Sequence, residues 1–316
     1  MAGDKLNQYM DLKRIEFVVT NACTSRCKHC SFGDTLNKQP QHIDKDAATA
    51  AVSALADAYD IESVMTFGGE PLLFPDIVCA IHQTASEKGI PQRQVITNGY
   101  FTRDHNKILA VAKALKQSGV NSLLLSIDAF HREHIPLDRV YPFAKALKDE
   151  NISGFSLHPA WVVERQHVNR YNAQTEECLD YFADLQIPVS NGNDISPSGN
   201  AAVYLSEFYP KEALDSGFRC GEAPYTIKLD NVRTIAINPN GDVIVCCFVI
   251  GNLYQNSIVD IVKAYDPYRN PLMVTLMQDG ITGLIQLAEA HGIDVDTASF
   301  YSECDLCQYI VKTLMR

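Results

Sequence analysis

Cys23-Thr-Ser-Arg-Cys27-Lys-His-Cys30 is a run of three closely spaced cysteines that directly follows the apolar run Ile15–Thr20. The spacing C-x3-C-x2-C on a loop leaving a strand suits an iron–sulfur cluster, which is held by nearby cysteine thiolates. Three thiolates leave one iron of a cubane open to a small molecule. A tetrahedral zinc site needs a fourth ligand, and His29 supplies one only by crowding between two others. The run therefore predicts a cluster with one open iron.

The composition is that of a globular protein with an ample core, since 46% of the 316 residues are apolar. No apolar run approaches the roughly 18 residues that a membrane span needs, and the N-terminus lacks a signal-peptide core. We therefore expect a cytoplasmic protein without a membrane partner. The net charge of −11 and the lack of a Lys/Arg-rich run argue against a nucleic-acid partner. Ten cysteines in a reducing compartment favour metal binding or catalysis over disulfides.

Short β-rich runs alternate with helical patterns over the first 200 residues, and strand starts lie about 30 residues apart, the size of a βαβ unit. The predicted strands are Ile15–Thr20, Ser63–Phe67, Gln94–Thr97, Ser122–Ile127, Gly154–Leu157 and Ile187–Val189. The predicted helices lie near Ala47–Tyr59, Asp76–Lys88, Asn106–Gln117, Tyr141–Lys148 and Thr175–Leu185. This alternation predicts an α/β fold with a parallel sheet, either a partial (β/α)6 TIM-like barrel or an open sheet. In barrels, the chemistry lies at the carboxyl ends of the strands.

The alternation fades after about residue 200. Thr234–Asn238 and Asp242–Cys246 flank Pro239-Asn-Gly241, and Asn-Gly between alternating apolar residues is a strong hairpin signal. A helical tail follows. We expect two domains, a core over residues 1–205 and a small C-terminal α+β domain over residues 206–316.

Polar and glycine-rich segments follow the predicted strands. They are Gly68-Gly69-Glu70-Pro71, Thr97-Asn98-Gly99, Ser126-Ile127-Asp128 and Ser196-Pro-Ser-Gly-Asn200-Ala201. Each alone is an ordinary turn. Together with the cysteine run, they resemble the motifs of the radical S-adenosylmethionine (AdoMet) superfamily, in the expected order over most of the first 200 residues.

The resemblance implies an enzyme whose Cys23, Cys27 and Cys30 hold a [4Fe–4S] cluster that binds AdoMet through its open iron. Reductive cleavage of AdoMet then gives a 5′-deoxyadenosyl radical that abstracts hydrogen from an unactivated carbon. A low-potential flavodoxin- or ferredoxin-type electron donor is implied as a partner. The implied AdoMet-binding residues are Gly68, Gly69, Glu70, Asn98, Ser126, Asp128, His29 and Ser196. Asn200 stands where relatives often carry Arg.

A second set of cysteines comprises Cys220, Cys246 or Cys247, and the pair Cys304-Asp-Leu-Cys307. One interpretation is a structural zinc ribbon. The other is an auxiliary [4Fe–4S] cluster, and the arrangement resembles the C-terminal Twitch or shortened SPASM domain of radical AdoMet enzymes. On that resemblance the ligands are Cys220, Cys246, Cys304 and Cys307. Cys247 is then either a buried strand residue that points to the other face or a catalytic hydrogen-atom donor.

Three function classes follow. The first is crosslinking, oxidation or epimerisation of a ribosomally made peptide, although the early first strand leaves no room for a fused leader-binding domain. The second is radical dehydrogenation of a small alcohol such as an aminocyclitol. The third is a non-catalytic iron–sulfur or zinc-binding scaffold or sensor, which the AdoMet segments disfavour. Of these, we expect modification of a peptide, with dehydrogenation of a small alcohol as the alternative.

Overall fold

The computed structural model describes residues 6–211, 214, 217–221 and 226–314. The strands are β1 (Met10–Thr20), β2 (Ser63–Gly68), β3 (Gln92–Thr97), β4 (Ser122–Ser126), β5 (Phe155–His158), β6 (Ala160–Val162), β7 (Asn193–Ile195), β8 (Val232–Ile237), β9 (Asp242–Val245) and β10 (Phe248–Asn252). The helices are α1 (Lys45–Ala58), α2 (Pro75–Glu87), α3 (His105–Gln117), α4 (Ala129–Arg132), α5 (Leu137–Asp149), α6 (Arg170–Asp180), α7 (Asn200–Tyr204), α8 (Ile258–Ala264), α9 (Pro271–Gln278), α10 (Gly280–Ala290) and α11 (Glu303–Leu314). Within these ranges, no helix has the length and apolar character that a membrane crossing requires.

One sheet of eight strands organises the chain, in the order β10-β9-β8-β1-β2-β3-β4-β5. Neighbours from β1 to β5 pair in parallel, and helices connect them, as the predicted βαβ repeat requires. Asp44 and Asp104 cap α1 and α3 by accepting hydrogen bonds from backbone N–H groups of the first turn. Gly89 and Gly119 follow α2 and α3 with positive φ, as helix-terminating glycines do. The predicted α/β fold with a parallel sheet is confirmed.

The sixth predicted strand is the main difference in the core. Ile187–Val189 forms only an isolated bridge between Val189 and Leu157. Leu157 donates to the Pro188 carbonyl and accepts from Ser190, whereas proline has no N–H with which to extend a ladder. The chain instead forms the separate parallel pair β6 and β7 just beyond.

The C-terminal strands extend the same sheet. The predicted hairpin is present as β8 and β9 around Asn240-Gly241, and β10 adds a third antiparallel strand. β8 pairs in parallel with β1, so it supplies the sixth parallel strand on the opposite edge from the one expected. The two-domain division stays a prediction, because its second part joins the first through a continuous sheet.

Side chains alternate between the two faces of the sheet, as strand geometry dictates. Phe17, Val64 and Leu123 point into the fully buried core, which helices such as α1 and α2 cover. The opposite face borders a cavity. Each strand from β1 to β5 contributes a side chain of this face to the cavity lining. In strand order these are Glu16, Phe67, Ile96, Ser126 and His158.

Candidate active site

A cavity of about 730 Å³ lies against this face of the sheet. It is lined by eight of the ten cysteines. These are Cys23, Cys27, Cys30, Cys220, Cys246, Cys247, Cys304 and Cys307. The two sets that are distant in sequence therefore open on one space.

The first cysteine loop is held by polar side chains around it. Asn37 accepts a hydrogen bond from the Cys23 N–H (2.8 Å) and donates to its carbonyl (3.1 Å). The Ser25 hydroxyl lies 2.9 Å from the Cys27 Sγ, and Asn98 Nδ2 lies 3.6 Å from the Cys23 Sγ. These contacts hold the Cys23 and Cys27 side chains in position.

Asn200 clamps the same loop from the start of α7. Its Nδ2 donates to the Cys27 carbonyl and its backbone N–H donates to the Cys30 carbonyl, both at 3.1 Å. The resemblance to the superfamily assigned no role to an asparagine at this position, where relatives often carry arginine. The contacts give it one, which is support of the cysteine loop.

Positions 68 and 69 must be glycine because the backbone there packs directly against the backbone that leads into the cysteine loop. A Cβ on Gly69 would lie 2.0 Å from the Ala22 carbonyl oxygen, and one on Gly68 would lie 2.5 Å from that of Thr20. The Gly69 N–H donates to Thr20 (2.8 Å), and the Glu70 N–H donates to Ala22 (2.7 Å). Both glycines also line the cavity, but the backbone contact with the cysteine loop is what demands the missing side chain.

Glu70 is fully buried, and its carboxylate organises neighbouring backbone. It accepts hydrogen bonds from the Leu72 N–H (2.9 Å), the Thr97 hydroxyl (2.6 Å) and the Asn98 N–H (2.8 Å). Burial raises the pKa of Glu70 to about 7, although these hydrogen bonds oppose the shift. Glu70 is absent from the cavity lining, so the structure places it behind Asn98, in a positioning role.

Asp128 ends the loop after β4 and caps α4, accepting from the Phe130 and His131 N–H groups (3.0 and 2.9 Å). The His131 ring Nδ1 lies 2.9 Å from both carboxylate oxygens. Burial raises the pKa of Asp128, but His131 outweighs it and brings the pKa to about 2. Burial lowers the pKa of His131, but Asp128 and Cys27 together raise it well above its usual range, so the ring is a cation. The pair borders the cavity as an ion pair of no net charge.

His29 is a neutral ring against this pair. Its centroid lies 4.9 Å from that of Phe130, and burial lowers its pKa to about 4. Its Nδ1 is buried without a hydrogen-bond partner in the described part of the chain. Of the remaining predicted AdoMet residues, Asn98, Ser126 and Ser196 all line the cavity.

The second set draws its thiols from three separate segments. Cys246 and Cys247 form the two-residue turn between β9 and β10, where Cys246 has a φ of +57°. Hydrogen bonds from Cys220 and Cys247 lower the pKa of Cys246, and contact with Cys246 raises the pKa of both partners. Cys304 and Cys307 lie on the first turns of α11. The predicted ligands therefore come together.

Cys247 belongs to this group. Its Sγ lies 4.0 Å from the Cys307 Sγ, and it lines the cavity. An orientation toward the other face of the strand is therefore wrong. Cys79 and Cys178, which lie on α2 and α6, are not part of the cavity lining.

Sequence reasoning missed the charged pair of Arg14 and Glu16, of which Glu16 lines the cavity. Arg14 Nε donates to Glu16 Oε1 at 2.6 Å. Arg14 also reaches Ser63 (2.8 Å) and Gln94 (2.9 Å) through its terminal nitrogens. Alternating charged residues within an otherwise apolar strand were the available signal, because they face a polar interior.

The residues fit an iron–sulfur cluster with a bound small molecule. Burial raises the pKa of Cys23 to about 12 and also raises that of Cys30. These thiols stay protonated without a metal, and metal binding displaces their protons. His29 lines the same space, and its buried Nδ1 has no hydrogen-bond partner among the described residues.

Comparisons with known families agree with this site. Residues 17–194, more than half of the chain, match the family model described as the radical SAM superfamily, in which SAM denotes AdoMet. Residues 231–291 match the model of the SPASM iron–sulfur cluster-binding domain.

The curated proteins that match this chain have low sequence identity to it. A GTP 3′,8-cyclase of Lactiplantibacillus plantarum is 30% identical over 129 residues, which cover 40% of this chain and 35% of that protein. A GTP 3′,8-cyclase of Listeria monocytogenes is 28% identical over 239 residues, covering 73% and 67%. The chain thus spans about a third of the first of these relatives and two thirds of the second.

A similar solved structure is described as native anSMEcpe with bound AdoMet. The match covers 79% of this chain and 80% of that one, with a TM-score of 0.51 at 12% identity. A tagged form of the same protein, also with bound AdoMet, matches over 96% of this chain and 98% of that one, with a TM-score of 0.52 at 12% identity. At this identity the likeness shows the fold alone.

Proposed function

The chain belongs to the radical SAM superfamily, and on this premise we propose that it oxidises an unactivated C–H position of a ribosomally made peptide. A [4Fe–4S] cluster, AdoMet and an auxiliary iron–sulfur cluster are its cofactors. Cys23, Cys27 and Cys30 would hold the first cluster. The auxiliary cluster would be held by Cys220, Cys246, Cys304 and Cys307.

When bound, AdoMet supplies the 5′-deoxyadenosyl radical that removes a hydrogen atom from the substrate. The side chains that line the cavity would orient AdoMet and the substrate and enclose them. Asn98, Ser126 and Ser196 offer polar atoms to AdoMet from the cavity wall. Glu70 holds the Asn98 backbone, and the neutral His29 ring gives a flat surface against which an adenine can pack.

The observation that supports oxidation is the single cavity lined by both cysteine sets. Removal of one hydrogen atom leaves a second electron that must be accepted close to the reacting carbon. An auxiliary cluster whose ligands line the substrate cavity answers that need, whereas a purely structural cluster has no reason to face it. The low-potential electron donor of flavodoxin or ferredoxin type stays part of the proposal.

A small amino alcohol is the second candidate substrate. Glu16, which is paired with Arg14, borders the interior of the cavity, where a small molecule or one peptide side chain can enter but a folded protein cannot. This observation suits both classes, and the peptide is preferred because the resemblance to enzymes with this C-terminal domain favours it.

The reaction named for the curated relatives is not proposed. A nucleoside triphosphate is bound through Lys or Arg contacts to its phosphates. Over the described ranges, no Lys or Arg side chain lines the cavity, whereas Glu16, Asp128, Asp194 and Asp305 do.

The test is anaerobic reconstitution with iron and sulfide. We expect about eight irons per chain, as two cubanes require, and release of 5′-deoxyadenosine and methionine with AdoMet and reductant. Absence of 5′-deoxyadenosine at full iron loading would overturn the radical proposal. Bound zinc in the C-terminal set would overturn the auxiliary cluster.

Cys247 separates oxidation from epimerisation, because an epimerase must return a hydrogen atom to the substrate radical. If Cys247 is that donor, Cys247→Ala stalls turnover with a radical on the substrate, detectable by electron paramagnetic resonance. An oxidase keeps its turnover in this variant, which is the outcome we expect.

A further inference from the structure

Glu16 is a charged residue in the middle of the longest strand, and the activity proposed above assigns it no role. Its side chain is 23% exposed, and this exposure is to the cavity. In the described part of the chain, its carboxylate accepts one hydrogen bond, from Arg14 at Oε1. No described residue donates a hydrogen bond to the second oxygen, Oε2.

Strand register places Glu16 between the two cysteine sets. Glu16 is level with Ala236 of β8, and Ala236 is level with Ile244 of β9. Because β9 runs antiparallel to β8, Cys246 lies toward the amino end of β1. The Cys23 loop follows the other end, at Thr20, about 13 Å beyond Glu16 at the usual rise per strand residue.

Arg14 holds the Glu16 carboxylate in position from the protein side. Its guanidinium is hydrogen-bonded to Glu16, Ser63 and Gln94, and it is not part of the cavity lining. A guanidinium fork anchored at several acceptors has little freedom to move. The acceptor that it presents to the cavity is therefore rigid, as a specificity-determining group should be.

The charge of the cavity wall favours a cationic guest. Arg14 balances Glu16 from outside the lining, and Asp194 leaves the wall itself with excess negative charge. No Lys or Arg of the described residues lines the wall. A partly buried carboxylate that is paired on one side, as Glu16 is with Arg14, still accepts a charge-assisted hydrogen bond from an ammonium group more strongly than a hydrogen bond from a neutral hydroxyl.

We propose that Glu16 binds an ammonium group of the substrate and so holds the reacting carbon between the two cysteine sets. This inference rests on the proposed function and narrows its substrate to amines. Two sources share this chemistry, the side chain of a lysine in a peptide and a small amino alcohol. A phosphorylated substrate is excluded.

Calorimetric titration of the reconstituted enzyme, loaded with AdoMet, tests this. The probes are N-acetyl-lysine amide, trans-2-aminocyclohexanol, the uncharged 1,2-cyclohexanediol and GTP. We expect an amine to bind at least tenfold more tightly than the diol, and GTP not to bind. The tighter of the two amines identifies the source. Equal binding of amine and diol, no binding of either amine, or binding of GTP would overturn the proposal.

The variant Glu16→Gln keeps the size of the side chain and an acceptor for Arg14 while removing the charge. We expect it to weaken amine binding at least tenfold with unchanged iron content and circular dichroism. Glu62→Gln, which alters an exposed carboxylate paired with Lys13, is the matched control and should bind as wild type. Unchanged amine affinity in Glu16→Gln would refute the assignment, whatever the outcome of the 5′-deoxyadenosine assay, which tests the radical proposal separately.

Discussion

The two cysteine sets are built in opposite ways. Cys23, Cys27 and Cys30 lie within eight residues on one loop, and side chains such as Asn37 and Asn200 hold that loop. The second set gathers Cys220, a two-residue turn and the start of α11, which are far apart in the chain. The first site is thus formed largely by local sequence, whereas the second exists only when the C-terminal elements are packed together.

This difference teaches what each cluster can do for the protein. When the ligands lie on distant segments, metal binding must also order those segments. Part of the binding free energy is spent on this ordering, so metal binding and folding are coupled. The auxiliary site should therefore stabilise the C-terminal part of the fold. The first site stands on a loop that is already held, and should be dispensable for folding.

The largest expected effect comes from Cys27→Ala. Loss of this thiolate should reduce 5′-deoxyadenosine formation by about a thousandfold or more, as removal of an essential group does. About four irons should remain, in the auxiliary cluster. Chromatography of the products and iron analysis measure both. Cys79→Ala, which alters a helical cysteine away from the cavity, is the control. Loss of all iron in Cys27→Ala would contradict the view that the two sites bind iron independently.

The double variant Cys304→Ala/Cys307→Ala addresses the other site. It should lose about half of the iron, keep AdoMet cleavage, and lose oxidised product. Since this cluster joins separate segments, limited proteolysis should cut the C-terminal region faster than in wild type. Unchanged proteolysis would show that the auxiliary site, like the first, is held without its metal.

Gly69→Ala tests the support of the first loop. The new Cβ would lie 2.0 Å from the Ala22 carbonyl oxygen. The backbone shift that such overpacking forces typically costs about 1–3 kcal/mol of stability. We expect slower iron uptake at the first site and a lower free energy of unfolding in chemical denaturation. Gly89→Ala is the control, because no atom lies within 4 Å of its Cβ. Its φ of +72° predicts a loss of about 1 kcal/mol, with iron uptake unchanged.

The last expected effect leaves the cavity untouched and is a pH dependence that arises in the core. His82 is buried beneath β2, with its Nε2 2.8 Å from the Thr66 hydroxyl, and burial lowers its pKa to about 3. Between pH 6.5 and 3, the unfolded chain binds a proton that the folded chain does not. His82 should therefore contribute a loss of stability with decreasing pH of about 1.4 kcal/mol per unit in this window, seen as the difference in slope between wild type and His82→Gln.

Denaturant titrations of the apoprotein at pH 7 and pH 5.5 measure this slope, and His82→Gln should reduce it. An equal slope in the variant would assign the acid sensitivity to other groups. If the pH dependence appeared only in a separate unfolding step of the C-terminal region, the assignment to His82 in the core would be contradicted.

The fold was predictable where the sequence pattern is periodic. Strands β2 to β5 and helices α1 to α3 lie within about two residues of the predicted bounds, because buried parallel strands and amphipathic helices leave clear patterns. β1 and α6 each begin about five residues earlier than predicted. The sixth strand was not predictable, because Pro188 interrupts its ladder while leaving the apolar pattern intact. Nor does a local pattern indicate that β8 pairs with β1, since strand partners distant in sequence leave no local trace.

The candidate site divides in the same way. The cysteine loop, Asn98, Ser126 and Ser196 were named from sequence and line the cavity. Glu70 was expected at AdoMet, but its carboxylate faces Thr97 and Asn98, because hydrogen bonds to neighbouring backbone decide where a buried carboxylate points. Glu16 was overlooked, since its use depends on which face of β1 borders a cavity.

The sequence by itself determined the family, the cofactors and the three-cysteine loop, because these depend on residue types at short, fixed spacings. Only the tertiary structure decided that both cysteine sets open on one cavity, that Cys247 faces Cys307, and that an acidic wall with Glu16 lies between the sets. The physical reason is that these relations arise from strand pairing and packing between segments far apart in the chain, whose geometry no local spacing encodes.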